Sequence, residues 1–284
     1  MIILDGGLST VLEQQGADLS SALWTARLLA DAPDRLAEAH RTYFAAGAQV
    51  ATTASYQASV AGFAAAGFGN AEALIGDSVR IARDVRDEFG DDRLVAASVG
   101  PYGAALADGS EYRGDYGVSV AALRDFHAQR LELLAAAGPD LFAVETVPDV
   151  REAEVLLELL AEFDLPAWFS YSVRGDRTSA GQRLADAYGA LASCPVLVAA
   201  GVNCSAPEDV PAAVATAVAV TGLPGIAYPN GGGSWDAAAK EWRRPDAWRP
   251  ELVESWLAAG ATWVGGCCGV GAAEIAELAT LLAD

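Results

Sequence analysis

Two periods alternate along this chain. Short, largely apolar runs recur at residues 2–4, 48–52, 94–99, 140–144, 167–171, 196–202, 225–228 and 261–264. Each is followed, directly or after a loop, by a stretch with helical spacing: 33–46, 70–89, 118–137, 149–163, 182–191, 206–220, 250–259 and 272–283. In the fourth of these the apolar positions 155, 156, 159 and 160 share one face. Helix ends carry their own signals. Pro33, Pro207 and Pro250 stand in first turns, Gly47 follows an end, and Asn70 is placed as an N-cap. Near-continuous apolar runs suit parallel strands covered on both faces. Eight strands alternating with eight helices predict one α/β domain over residues 1–284, a single (β/α)8 TIM barrel. A doubly wound open sheet is the alternative, but Gly6-Gly7-Leu8-Ser9 after the first strand lacks the G-x-G-x-x-G fingerprint.

Composition narrows the partners more than the fold. No run of 18 apolar residues is present, so no membrane helix is expected. Met1 to Leu4 offer no basic leader before Asp5, so no signal peptide is expected and a cytoplasmic protein is. The chain has 38 acidic and 18 basic residues, a net charge of -20. That argues against nucleic acid and anionic membranes, which select Lys/Arg-rich surfaces, and leaves a cationic small molecule unrepelled. Four cysteines in 284 residues do not make a disulfide framework. In a reducing compartment they point to metal binding or catalysis. His40 and His127 both fall inside helical stretches and read as core or helix-surface residues rather than ligands.

The chemistry gathers where strands end. In such a barrel the residues just past each strand converge on one face. Asp5, Tyr56, Glu145, Cys204, Asn230, Cys267 and Cys268 all stand there. Successive side chains of an extended strand point apart, so the adjacent Cys267 and Cys268 need a turn, and Gly265-Gly266 supply one. Together with Cys204 they describe three thiolates around one zinc ion with an open fourth position. Cys194 precedes the sixth strand, at the far end of the barrel, and reads as packing. A Cys267–Cys268 disulfide is the competing reading. A sulfur-rich zinc site suits a fourth soft ligand, a substrate thiol that gives up its proton on binding. The natural reaction is alkyl transfer to sulfur. Asp5 and Glu145 then hold a substrate ammonium group by charge-assisted hydrogen bonds; the competing role for each is a helix cap or a structural ion pair.

At this point the sequence resembles the zinc-dependent homocysteine S-methyltransferases over nearly its whole length. The resemblance rests on Asp5-Gly6-Gly7, Thr52-Thr53-Ala54-Ser55-Tyr56-Gln57-Ala58, Gly100-Pro101-Tyr102-Gly103-Ala104 and Asp108-Gly109-Ser110-Glu111-Tyr112. It continues through Glu145-Thr146-Val147-Pro148, Gly201-Val202-Asn203-Cys204, Tyr228-Pro229-Asn230 and Gly265-Gly266-Cys267-Cys268. It implies that Cys204, Cys267 and Cys268 ligate Zn2+. It also implies that Asp5 and Glu145 hold the amino group of homocysteine, and that backbone near Gly6 and Thr52 receives its carboxylate. Tyr56 matches a tyrosine that fills the open metal position in a related branch; an aromatic lid is the other reading of it. The sequence is most similar to the branch whose methyl donor is a sulfonium, S-methylmethionine or S-adenosylmethionine. Tyr102, Tyr112, Trp235 and Trp242 lie in the loops where an aromatic face would meet that cation, with plain loop packing the competing reading of each. Two departures touch the donor pocket: Gly231-Gly232-Gly233 stands where the family often has Ser-Gly-Glu, and Ala180-Gly181-Gln182 where it often has Asp-Gly-Thr. A same-fold enzyme for another thiol or a selenol such as selenocysteine, and a non-catalytic zinc- or thiol-binding barrel, are the alternatives.

Overall fold

The computed structural model describes residues 1–90, 92–232 and 248–283, and the backbone of 234–236 and 241–243. Eight parallel strands form one sheet: β1 Ile2–Ile3, β2 Val50–Thr52, β3 Leu94–Val99, β4 Leu141–Val147, β5 Ala167–Tyr171, β6 Leu197–Asn203, β7 Gly225–Tyr228 and β8 Ala261–Val264. Their order is β1-β8-β7-β6-β5-β4-β3-β2. A parallel bridge between Leu4 and Val50 joins the two ends, reinforced by Asp5 N donating to Val50 O at 3.1 Å. The sheet is therefore a (β/α)8 barrel, as the alternation of apolar runs predicts.

The crossover helices are α1 Pro33–Ala45, α2 Ala71–Phe89, α3 Val120–Ala136, α4 Val150–Leu160, α5 Leu184–Leu191, α6 Val210–Thr221, α7 Val253–Ala258 and α8 Ala272–Leu281. Helix α2 shows why they lie on the barrel: Leu74, Ile75, Val79, Ala82 and Val85 recur at helical spacing and are all buried. Ser119 caps α3 through Ala122 N at 3.1 Å, and Asp149 caps α4 through Arg151 N at 3.0 Å. Asn70 precedes α2 as expected, but its side chain makes no cap hydrogen bond.

The barrel interior is filled rather than hollow. Leu4, Val50, Ala96, Leu141, Ala143, Trp168, Ala199, Ile226 and Tyr228 form one buried cluster drawn from successive strands. Trp168 dominates it, edge-on to Tyr228 at 6.0 Å and Trp263 at 5.9 Å. Alanine at 96, 143 and 199 leaves the volume that this indole occupies. Trp168 Nε1 donates to Tyr228 Oη at 2.8 Å, so its polar edge is satisfied.

The elements that differ from the sequence-based expectation crowd the rim. Short helices at Leu8–Gln14, Trp24–Arg27, Leu28–Asp31 and Val60–Ala65 fill the first two loops. The 100–117 loop contains a helix at Tyr102–Leu106 and a 3-10 turn at Ser110–Tyr112. Small antiparallel pairs lie at Val173–Arg174 with Arg177–Thr178 and at Ser234–Asp236 with Glu241–Arg243. Among the described residues no helix is long and apolar enough to cross a membrane.

Candidate metal centre

Strand β6 ends at Asn203, and Cys204 turns out of it with φ of +48°. A non-glycine residue rarely holds that conformation unless its neighbours impose it. Here Cys204 N donates to Tyr228 O on β7 at 3.2 Å, which pins the turn. After β8, Gly265 and Gly266 fold the chain back so that both following thiols face Cys204. A Cβ on Gly266 would come within 2.2 Å of Val270 Cγ1, and one on Gly265 within 2.6 Å of Leu4 Cβ. Both positions therefore require glycine. Backbone bonds hold the returned segment: Gly266 N to Asp5 O at 3.1 Å, Cys267 N to Pro229 O at 2.8 Å and Val270 N to Cys267 O at 3.1 Å. Thr10 Oγ1 accepts from Gly269 N at 2.8 Å.

The Sγ atoms of Cys204, Cys267 and Cys268 all lie within 4.8 Å of one another, with Cys204 and Cys268 4.0 Å apart. Two thiolates on one tetrahedral zinc at about 2.3 Å each stand about 3.8 Å apart. The three sulfurs fit that spacing, and soft donors suit zinc. Hydrogen bonds to Cys204 and Cys267 push the Cys268 thiol well down, while the same shared protons push Cys267 up. Cys194 lies elsewhere, half-buried with Sγ 3.9 Å from Leu157 O, in keeping with a packing role. All four cysteines are free thiols.

Two carboxylates accompany the thiols. Asp5, 3% exposed, accepts from Thr52 N at 2.7 Å and Thr52 Oγ1 at 2.9 Å. Burial nevertheless pushes its carboxyl up to about 8. Glu145, 7% exposed, accepts a short hydrogen bond from Ser98 Oγ, and burial pushes it up to about 7. The ladder of β4 shifts register between Val144 and Val147, so Glu145 sits in an irregularity that re-aims it. Strand β4 therefore runs three residues beyond the end that the apolar pattern suggests at Val144. Thr52 differs from expectation in one respect: its N–H and hydroxyl are both committed to Asp5, so it orients a carboxylate of the protein.

Asn203 binds these pieces together, and sequence reasoning did not single it out. Its Oδ1 accepts from Thr146 N at 2.7 Å and from Ser170 Oγ at 2.8 Å, and its Nδ2 donates to Thr146 Oγ1 at 2.8 Å. Thr146 has φ of +59°, an outlier for a β-branched residue. One fully buried amide thus braces a strained turn beside Glu145 while its own successor is Cys204. A polar residue at the end of an apolar strand was the available signal. Arg130 and Glu152, also unread, support the rim from α3 and α4. Arg130 donates to Gly100 O at 2.9 Å, Ser55 O at 3.1 Å and Tyr56 O at 3.0 Å. Glu152 accepts from Tyr102 N at 2.6 Å and Tyr116 Oη at 2.9 Å and meets His127 Nε2 at 2.8 Å. His127 and His40 are both buried in the core.

The aromatic candidates separate. Tyr112 Oη lies 3.2 Å from Cys204 Sγ. Tyr56 packs edge-on to Trp24 at 6.2 Å, and its hydroxyl is buried without a hydrogen-bond partner among the described residues. Tyr102 instead packs in the loop against Tyr116 at 5.4 Å and Phe126 at 4.9 Å. Gly233 and the side chains of Trp235 and Trp242 lie outside the described residues. Gly231 has a packing reason for its identity, since a Cβ there would come within 2.6 Å of Gly269 O in the cysteine turn. Asn230, on the same segment, has a buried Oδ1 with no hydrogen-bond partner among the described residues.

Three thiols and two buried acids at the mouth of a (β/α)8 barrel define an enzyme of thiol chemistry with room for a soft metal. The family model described as homocysteine S-methyltransferase matches residues 2–282, and the chain belongs to that family. A homocysteine S-methyltransferase of Escherichia coli is 45% identical, the match covering 98% of this chain and 94% of that protein. YbgG of Bacillus subtilis, a homocysteine S-methyltransferase, is 40% identical over 98% of this chain and 93% of its own length. A selenocysteine Se-methyltransferase of Brassica oleracea is 39% identical over 94% of this chain and 84% of its own. Among solved structures, the homocysteine methyltransferase MmuM of Escherichia coli in its metallated form superposes with a TM-score of 0.88. It is 43% identical, covering 99% of this chain and 96% of that one.

Proposed function

We propose that this chain, as a single barrel domain over residues 1–284, moves a methyl group from a sulfonium donor to the thiol of homocysteine and so makes methionine. The observation that carries this reading is the convergence of Cys204, Cys267 and Cys268, from two distant segments, with their sulfurs within 4.8 Å of each other. These three residues would hold Zn2+. When bound, that ion supplies Lewis acidity toward a soft ligand, which favours the thiolate form of a thiol at neutral pH.

The remaining work belongs to the chain's own side chains. Asp5 and Glu145, ionised, receive the ammonium group of homocysteine by charge-assisted hydrogen bonds. Ser98 and Thr52 hold those carboxylates in place. The backbone at Gly6 receives the substrate carboxylate, while Thr52 keeps Asp5 turned toward the ammonium group. Tyr56 and Asn230 bring to the same mouth buried oxygens that have no partner among the described residues. With the acceptor so aligned, its sulfur attacks the donor's methyl carbon in line. The new C–S bond forms as the old one breaks, and the sulfonium takes the electron pair to become a neutral thioether. Charge is lost in the transition state, so a site that excludes water favours the step. Alignment supplies much of the remaining barrier reduction.

A sulfonium, S-methylmethionine or S-adenosylmethionine, is the donor we assign, because the Asp108-Gly109-Ser110-Glu111-Tyr112 turn typical of that branch lies against Cys204 through Tyr112. The Brassica relative supports selenocysteine as a second acceptor. A reducing cytoplasm, which keeps the thiols free, is the matching location. Incubating the purified, zinc-loaded protein with homocysteine and S-methylmethionine should yield two methionines per turnover. Chelation and Cys268→Ala should each abolish the product. Undiminished turnover after complete zinc removal would refute the assignment.

A further inference from the structure

One acidic side chain beside the thiols has no task in the scheme above. Glu111 sits on the 3-10 turn Ser110–Tyr112. That turn is built to hold its position. Asp108 Oδ1 accepts from Ser110 N at 2.9 Å, Gly109 takes a φ of +79°, and a Cβ on Gly103 would stand 2.5 Å from Glu111 N. The turn is therefore packed onto the Tyr102–Leu106 helix, and its next residue, Tyr112, touches Cys204. Glu111 Oε2 is buried and has no hydrogen-bond partner among the described residues. Removing a carboxylate oxygen from water without a partner is costly, and such an atom calls for an explanation. Loss of water is the main force that pushes the Glu111 carboxyl up, and the charge at Cys204 adds to it. The closest basic side chain on the turn, Arg113, is exposed and leans to Asp108 at 3.9 Å.

Ionised, a buried carboxylate oxygen near Cys204 with no partner among the described residues favours a cationic ligand. The acceptor's single ammonium group is already matched by Asp5 and Glu145. The donor is the other cation of the reaction: an amino-acid sulfonium carries a sulfonium, an ammonium and a carboxylate, one net positive charge. We propose that Glu111 is the specificity-determining residue for the methyl donor, its buried carboxylate oxygen receiving the donor's cationic end beside Tyr112. This rests on the proposed methyl transfer and adds to it the residue that reads the donor.

Zinc-loaded Glu111→Gln keeps the shape and removes the charge. Its KM for S-methylmethionine should rise at least about tenfold, the loss of one charge-assisted contact, with KM for homocysteine and zinc content within about twofold of wild type. Glu111→Asp should recover part of the difference. A dimethylsulfonium carboxylate that lacks the amino group separates the two cationic centres. If Glu111 reads the sulfonium, the variant discriminates against this donor as well; if it reads the ammonium, wild type and variant use it equally. Titration calorimetry of S-methylmethionine into the zinc-loaded proteins should show the same loss of donor affinity without any turnover. The calorimetry therefore tests Glu111 even if the wild type proved inactive and the methyl-transfer reading failed. An unchanged donor affinity in Glu111→Gln, or an equal loss of homocysteine affinity or of zinc, overturns the proposal.

Discussion

Asp5 and Glu145 hold their protons well above the ordinary carboxylate range because the barrel mouth strips them of water. Their pairing with an ammonium group requires the ionised form, which prevails above about 8 for Asp5 and about 7 for Glu145. KM for homocysteine should therefore fall as pH rises through 7 to 8 and level off beyond it. Steady-state kinetics across that range measures it, and Asp5→Asn should raise KM and flatten the upper part of the profile. Stability of the ligand-free protein runs the other way. Between the ordinary values of 3.8 and 4.5 and these raised values, the folded state binds more protons than the unfolded one. Unfolding then releases protons, and stability declines as pH rises from about 4 to about 8. A Tm that climbed over that interval would contradict the burial argument. The identities of these residues were legible in the sequence, because acids and thiols just past apolar strands converge in a barrel. Their protonation was not, since it depends on how completely neighbours exclude water.

Strands β4 and β6 are not adjacent, yet Asn203 ties their ends together across β5 through Thr146 and Ser170. It thereby sets the separation between the Glu145 carboxylate and the Cys204 sulfur, the two points that an amino-acid thiol must span. Asn203→Ala leaves a buried N–H of Thr146 and two hydroxyls without their partner, at a cost of about 1–3 kcal/mol. It also frees Thr146 and Cys204 to leave their positive φ. We expect KM for homocysteine to rise about ten- to a hundredfold, as supporting hydrogen bonds around a site commonly show, with preference over cysteine reduced. A Tm drop with unchanged acceptor preference would mean that Asn203 only stabilises the fold. The eight strands and their helices were readable because each is a near-continuous apolar run or an amphipathic stretch of fair length. The rim pieces were not. The Tyr102–Leu106 helix is too short to show a period, and the bulge at Glu145 looks like any strand end. The buried Arg130 and Glu152 that hold the rim read, in sequence, as ordinary polar positions on a helix face.

Seen whole, the molecule carries its two functions at opposite depths of one barrel. Trp168 and the alanines around it fill the interior, while the three thiols and two acids lie at the strand ends. The net charge of -20 suits a reaction whose distinctive reagent is a cation, and the family match extends over residues 2–282. The claim on which the rest depends is that Cys204, Cys267 and Cys268 grip one metal ion and leave a place for a substrate sulfur. X-ray absorption at the zinc edge of the loaded protein tests it most directly. The account predicts three sulfur neighbours in the absence of substrate and four when homocysteine is added. A count that stays at two or fewer, or does not change on adding homocysteine, would contradict it.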